Sequence, residues 1–239
     1  MSRRSITRPV GGERLLRRGT QLLVGLTLYA LSMAVLLHAA LGSMPWDVLS
    51  QGLVHHVPLS IGAVTLVTGL LVLLCWIPLR QRPGVGTVAN VVVISALVDP
   101  FLALLGRLPE DLPLPVTVGM VLVGVVLNGI ATALYIGARM GPGPRDGLMT
   151  GLVRRTGRSV RLVRSSIEVA VVLTGWLLGG TAGPATVLYA VAIGPLVHLL
   201  LPRLTVPQRA PQEQGVRTGT PAEPPAASAV AAAASGTPA

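Results

Sequence analysis

This chain of 239 residues is short of charge, aromatic rings and cysteine, and each shortage removes a class of protein. Charged residues make up 12% of it, against roughly a quarter in soluble domains, which excludes an ordinary water-soluble globule and, with it, a fibrous chain. Lysine is absent, so all 19 basic residues are arginine. The net charge of +10 invites a nucleic-acid reading, but aromatics at 3% leave no platform for stacked bases. Cys75 stands alone inside an apolar run, which excludes a disulfide framework, a zinc knuckle or a redox pair and predicts a packing role. No G-x-S-x-G, H-E-x-x-H, Walker loop or cysteine-histidine constellation occurs. No catalytic residue, metal or cofactor is therefore expected, and the chain does not read as an enzyme.

What is abundant is apolar: 51% of the residues are hydrophobic, with a mean hydropathy of +0.69. A transmembrane helix needs about 20 mainly apolar residues, and six runs qualify, at 21–41, 61–79, 85–105, 116–136, 160–180 and 184–201. The fifth is the most polar, carrying Arg161, Arg164 and Glu168. The first is too long for the core of a secretory signal and five more follow, so it is expected to remain as a span. Ser2-Arg3-Arg4-Ser5-Ile6 is separated from that run by a polar stretch through Arg18, which makes a twin-arginine export signal a coincidence.

Short arginine-rich loops stay cytoplasmic. Arg3, Arg4, Arg8, Arg14, Arg17 and Arg18 precede the first span, Arg80 and Arg82 follow the second, seven arginines lie within 139–164, and Arg203, Arg209 and Arg217 follow the sixth. The other side receives Arg107, beside Glu110 and Asp111, and the His55-His56 pair. Both termini are thus expected in the cytoplasm, the first as a basic segment over 1–20. The stretch 205–239 is Pro, Ala, Gly, Thr and Gln with almost no large apolar residue, the composition of a disordered tail. The basic balance then reads as topology and attraction to anionic lipid, not as a nucleic-acid footprint.

Gly42-Ser43-Met44-Pro45-Trp46-Asp47-Val48-Leu49 lines up with Gly141-Pro142-Gly143-Pro144-Arg145-Asp146-Gly147-Leu148, and the pair Asp47 and Asp146 lies 99 residues apart. The same offset pairs Ser60 with Ser159, Gly84 with Gly183 and Thr87 with Thr186. A duplication over 21–105 and 116–204 follows. Each copy holds three spans, and an odd number makes the second copy enter the membrane from the opposite face. Inverted repeats of this kind are common in secondary transporters, whose site lies at the repeat interface.

Pro45 and Pro144 suit the first turn of a helix, and the aspartate two residues later favours its positive end. A helix of about two turns is expected after each, with Gly52 and Gly151 as its cap or as a close helix contact. Each motif is then either a re-entrant hairpin lining a cavity or an interfacial helix-loop. Arg161, Arg164 and Glu168 share one helical face, as a polar lane from the cytoplasm or as an Arg164–Glu168 ion pair. Asp99, its counterpart His198, and His38 sit near span ends where polar groups are tolerated. Asn90, Asn128 and Tyr189 suit interhelical hydrogen bonds, and Trp46, Trp76 and Trp176 suit interfacial or packing roles.

The two motifs, together with Arg158-Ser159-Val160-Arg161-Leu162-Val163-Arg164 leading into Ile167-Glu168-Val169, resemble the YczE/YyaS/YitT family of bacterial integral membrane proteins. The resemblance covers roughly 22–204. It implies a multi-pass protein of the bacterial inner membrane and carries over no catalytic residue. The expectation is an all-α polytopic protein, a six-helix bundle of two inverted three-helix repeats, acting as a transporter or permease for a small solute. Pro45, Trp46, Asp47, Pro144, Arg145, Asp146, Arg161, Arg164 and Glu168 are the candidates for lining its path. The alternative is a non-transporting scaffold or accessory protein whose basic loop binds an acidic partner or anionic lipid.

Overall fold

The computed structural model describes residues 10–109 and 112–206. They form eight helices: α1 (Val10–Ala39), α2 (Pro45–Val54), α3 (Ile61–Trp76), α4 (Val85–Leu105), α5 (Leu114–Gly137), α6 (Pro144–Thr156), α7 (Val160–Leu177) and α8 (Pro184–Leu204). The six expected runs fall on α1, α3, α4, α5, α7 and α8, and each motif adds a short helix, α2 or α6, of its own. Four helices, α1, α4, α5 and α8, are long and apolar enough to cross a membrane. The run expected to reach residue 79 stops as a helix at Trp76, and the one expected to reach 180 stops at Leu177.

The local chemistry that starts these helices is used twice. Pro45 opens α2 and Pro144 opens α6, each ring supplying the helical φ where the missing N–H costs nothing. Ser60 caps α3 by accepting from the Ala63 N–H at 3.1 Å, and Ser159 caps α7 by accepting from Leu162 at 3.3 Å. Thr87 and Thr186 each accept from the N–H of the glycine before their helix, Gly84 at 3.1 Å and Gly183 at 3.2 Å. Even the unusual backbone recurs. Ala40 and Arg139 both have φ +53°, Arg80 and Gly179 have φ +52° and +92°, and Gly42 and Gly141 have φ +110° and +135°.

The residues flanking those last two glycines join the two halves. The Ala185 N–H donates to the Leu41 carbonyl at 3.1 Å, while the Gly86 N–H donates to the Met140 carbonyl at 2.8 Å. Ser43 N–H reaches the Thr186 hydroxyl at 3.2 Å, and the Thr87 hydroxyl reaches the Pro142 carbonyl at 2.7 Å. The loop before α2 is thus seated on the start of α8, and the loop before α6 on the start of α4. A Cβ at Gly42 would lie 2.6 Å from the Gly183 nitrogen, and one at Gly141 would lie 2.8 Å from the Thr87 hydroxyl. Glycine is required there twice over, by the positive φ and by the close approach.

Packing sorts the helices into two layers. α1 packs against α4 and α5, and α5 against α8, so the four long apolar helices form one row. α2, α3, α6 and α7 form a ring of their own, α2 on α7 and α3, α6 on α3 and α7. The layers join where α3 packs along α4; α7 and α8 make no comparable contact. The core runs along α1 through Leu22, Leu26, Ala30, Met33 and Leu37. On the outside, Leu23, Leu74, Val123, Leu173 and Val187 are all at least half exposed, an apolar belt suited to lipid and costly in water.

Cys75 belongs to that outer surface: it is exposed on α3, not packed as expected. Residues 1–9, 110, 111 and 207–239 lie outside the described residues, and with them Arg3, Arg4, Arg8, Glu110, Asp111, Arg209, Arg217 and most of the expected tail. Thr205 and Val206, grouped with that tail on composition, are held by the body: Val206 is buried and its N–H donates to the Gly137 carbonyl at 3.1 Å.

Candidate functional site

The two motif helices meet N-terminus to N-terminus. Arg145, on the first turn of α6, holds its Cζ 5.0 Å from the ring centroid of Trp46 on the first turn of α2. Its Nη2 lies 3.8 Å from Asp47 Oδ1. Trp46 and Arg145 occupy the same place in their respective motifs, so equivalent positions face each other directly. From this meeting point the helices run apart. α2 ends beside the end of α7, where His56 bonds the Leu178 carbonyl at 3.2 Å. α6 ends beside the end of α3, where Arg155 donates to the Pro78 carbonyl at 3.0 Å and Arg154 to Gln81 at 2.8 Å. Gly52 and Gly151 serve as close helix contacts, against Gly175 and Leu79 respectively, not as caps.

Asp47 is buried with its carboxylate unsatisfied among the described residues. Its side chain is 0% exposed, and neither carboxylate oxygen accepts a hydrogen bond among the described residues. Position in the first turn of α2 gives it the helix N-terminus, and Arg145 gives it a counter-charge across a gap longer than a hydrogen bond. Asp146 is better provided for, accepting from the Tyr135 hydroxyl at 2.6 Å. The Trp76 indole N–H donates to the Pro144 carbonyl at 3.0 Å, which fixes the start of α6 against α3.

Beside this meeting point lies a cavity of ≈ 240 Å³ to which all eight helices contribute. Of the candidate residues, Pro45, Trp46, Pro144, Arg145, Asp146, Arg164 and Glu168 line it, together with Asn90, Thr65 and Thr68. All three tyrosines of the chain, Tyr29, Tyr135 and Tyr189, also converge on it. Tyr29 and Tyr135 meet edge to face with ring centroids 6.3 Å apart. Tyr189 donates to Asn128 at 2.9 Å, and Asn128 donates to Ser32 at 2.8 Å, a buried network between α8, α5 and α1.

The cavity's two edges differ for a reason visible in the sequence. On α3 the position equivalent to Glu168 is Gly69, where a Cβ would lie 3.1 Å from the Val91 side chain of α4. Lacking one, α3 closes onto α4. On α7 that place is taken by Glu168, and the place of Thr65 by Arg164, joined as an i,i+4 pair at 2.9 Å with side chains 28% and 46% exposed. This pair stands at the edge where α7 and α8 remain apart.

Other candidates fall elsewhere. Asp47 lies behind the lining, reaching the cavity through Arg145. Arg161 is exposed and takes no part in the cavity, so the expected three-residue lane is reduced to Arg164 and Glu168. Asp99 accepts from the Gly62 N–H at 2.9 Å and so secures the start of α3. His38 is half-buried away from the cavity, while His198 and Trp176 are exposed. The sequence had not singled out Tyr29, Tyr135, Thr65 or Thr68. For Tyr29 a signal existed, since it lies well inside its span and not in the interfacial belt where tyrosine is usually enriched; Tyr135, at the end of α5, gave none.

The family described as "Family of unknown function (DUF6198)" matches residues 16–202. An uncharacterized protein of Haemophilus influenzae is 39% identical over 182 residues, 75% of this chain and 81% of that one. The uncharacterized membrane protein YczE of Bacillus subtilis is 31% identical over 196 residues, 80% of this chain and 88% of its own. The uncharacterized protein YyaS of the same organism is 22% identical over 183 residues, 75% of this chain and 90% of its own. No solved structure matches. The kinship expected from the two motifs, a YczE/YyaS-like family, therefore holds. Together with the apolar helices, it makes the chain a helical membrane protein.

Proposed function

We propose that this chain, which belongs to the family of unknown function DUF6198, is a permease for a small solute, built from two inverted repeats that pair α1–α4 with α5–α8. Each repeat supplies two long spans, a shorter crossing (α3 or α7), and a half-helix (α2 or α6) that enters the membrane without crossing it. The observation carrying this reading is the meeting of the two half-helix N-termini beside one cavity, the arrangement from which broken-helix transporters build substrate sites. Non-helical backbone at membrane depth is acceptable there because it faces protein and cavity, not lipid.

The unequal edges supply the motion. With α3 closed on α4 and α7 apart from α8, the cavity opens past Arg164 and Glu168. Exchanging the two conformations closes that edge and opens the other, toward the opposite side of the membrane. Gln21 on α1 bonds the Leu204 carbonyl at the end of α8 at 2.7 Å, so these two ends lie together. The arginine distribution assigns that end to the cytoplasm.

Accessibility mapping tests this. With Cys75 replaced by serine, a single cysteine is placed at Met149, which lines the cavity from α6. It is then labelled with membrane-impermeant thiol reagents in right-side-out and inside-out vesicles. Labelling from both sides is expected, and labelling from one side only refutes alternating access. A second reading, a scaffold that binds anionic lipid, is favoured by the open groove bordered by Arg80, Arg154 and Arg155. Under it, Arg154→Gln with Arg155→Gln abolishes retention of acidic lipid during purification.

A further inference from the structure

We propose that the cavity binds a small zwitterion, a solute carrying one carboxylate and one ammonium group on a short aliphatic frame; this deepens the permease reading and rests on it for its purpose, though not for its chemistry. Size sets the first limit. A space of ≈ 240 Å³ lies below the range of about 300 to 1,000 Å³ that holds drug-sized ligands.

The carboxylate pole is defined by Arg145. Its guanidinium lies over the face of Trp46 and makes no hydrogen bond among the described residues, the 3.8 Å approach to Asp47 being a charge contact only. Its N–H donors are thus left without a protein acceptor on the cavity wall, and a guanidinium fork matches a carboxylate in two-point geometry. The N-termini of α2 and α6, each with its proline on the cavity wall, converge at the same place and favour negative charge.

The ammonium pole is defined by Asp146 and Glu168. Each commits one oxygen, Asp146 to the Tyr135 hydroxyl and Glu168 to Arg164. Each leaves its second oxygen without a partner among the described residues. The amide of Asn90, also on the wall, makes no hydrogen bond among those residues and is available to either pole.

Charge balance then decides between a zwitterion and a simple ion. Asp47, Asp146 and Glu168 face Arg145, Arg164 and two helix N-termini, each terminus equivalent to about half a positive charge. The sum is close to zero. A net anion or cation would leave one pole unpaired and add uncompensated charge to the site, whereas a zwitterion satisfies both poles and adds none. Val72, Val91, Ile94 and Ile193 on the remaining wall suit a short aliphatic side chain.

The test is equilibrium binding to the purified full-length protein in detergent micelles. Calorimetry and thermal unfolding are run against glycine, L-alanine, L-serine and L-valine, and for each binder against its decarboxylated and deaminated analogues. For L-valine these are isobutylamine and 3-methylbutanoate. At least one amino acid is expected to bind saturably, with both analogues roughly 30-fold or more weaker. Arg145→Gln is expected to cause a similar loss, with Arg145→Lys intermediate because it keeps the charge without the fork. The analogue comparison uses wild-type protein, so it stands even if Arg145→Gln misfolds. Analogues that bind within threefold of the amino acid, or no binding by any of the four, overturn the proposal. Binding without flux in proteoliposomes refutes the permease reading and leaves the ligand class intact. Flux of some other solute, with none of the four amino acids bound, refutes the ligand class alone.

Discussion

Gly69→Val places a branched side chain where α3 touches α4. The first added carbon alone would sit 3.1 and 3.3 Å from the two Val91 methyl carbons, already tighter than comfortable contact, and valine adds two more. Overpacking of this kind costs about 1 to 3 kcal/mol, and that cost falls on the state in which α3 and α4 are closed. At 1.4 kcal/mol per factor of ten, the closed α3–α4 edge should lose roughly 5- to 140-fold in population relative to the state in which that edge is open. The assay is the Met149 cysteine reporter in the Cys75→Ser background. The ratio of labelling rates from the two sides should shift toward the side served by the α3–α4 edge. An unchanged ratio, in a variant whose elution profile and helical content match the parent, would refute the idea that Gly69 and Glu168 set which edge is open. A fall in Tm without a shift in the ratio would point to simple damage at the helix contact.

Arg145→Gln leaves the fully buried Asp47 carboxylate without its counter-charge and should destabilise the protein by about 3 kcal/mol, whereas Asp47→Asn should be neutral or stabilising. Thermal unfolding of both single variants and the double variant checks the sign, and a double variant as unstable as Arg145→Gln would contradict it. Tyr135→Phe removes the donor to Asp146 at 2.6 Å; an about 1.5 to 3 kcal/mol loss is expected for a bond to a charged group. Glu168→Gln breaks an exposed pair that contributes only about 0.3 to 0.5 kcal/mol, so Tm should hold while the Met149 labelling ratio changes. Asn128→Leu strands the Tyr189 hydroxyl and removes the donor to Ser32, which keeps its bond to the Tyr29 carbonyl; stability should fall by about 1 kcal/mol in detergent, measured as a shift in Tm.

Much of the fold was legible because a bilayer leaves the chain few options. Apolar length locates α4, α5 and α8 within a few residues, whereas α1 starts at Val10, eleven residues before the run expected from Gln21, because its polar first turns are helical too. Proline, serine and glycine at one fixed offset predict where helices start, since a missing N–H, a capping hydroxyl and a positive φ act within a single turn. Those same residues located the two motifs that line the cavity, and helical spacing brought Arg164 to Glu168. Cys75 shows the limit of such local inference. An apolar neighbourhood in sequence does not say whether a side chain faces protein or lipid, because both are equally dry, and here it faces outward.

Pairings between distant segments could come only from the tertiary structure. Composition and spacing do not say that Arg145 stacks on Trp46, that Asp47 lies 3.8 Å from it without a hydrogen bond, or that three tyrosines from three helices share one cavity. Those contacts depend on how α2 and α6 are aimed, and that aim is set by the reciprocal seating of their loops on α8 and α4. The sequence by itself determined a helical membrane protein with a duplicated motif, because hydropathy and capping are properties of short segments. Which duplicated residues meet, and which edge stays open, was decided by packing across the chain, because a glycine at 69 and a glutamate at 168 acquire opposite consequences only once a neighbouring helix is there to be touched or held away.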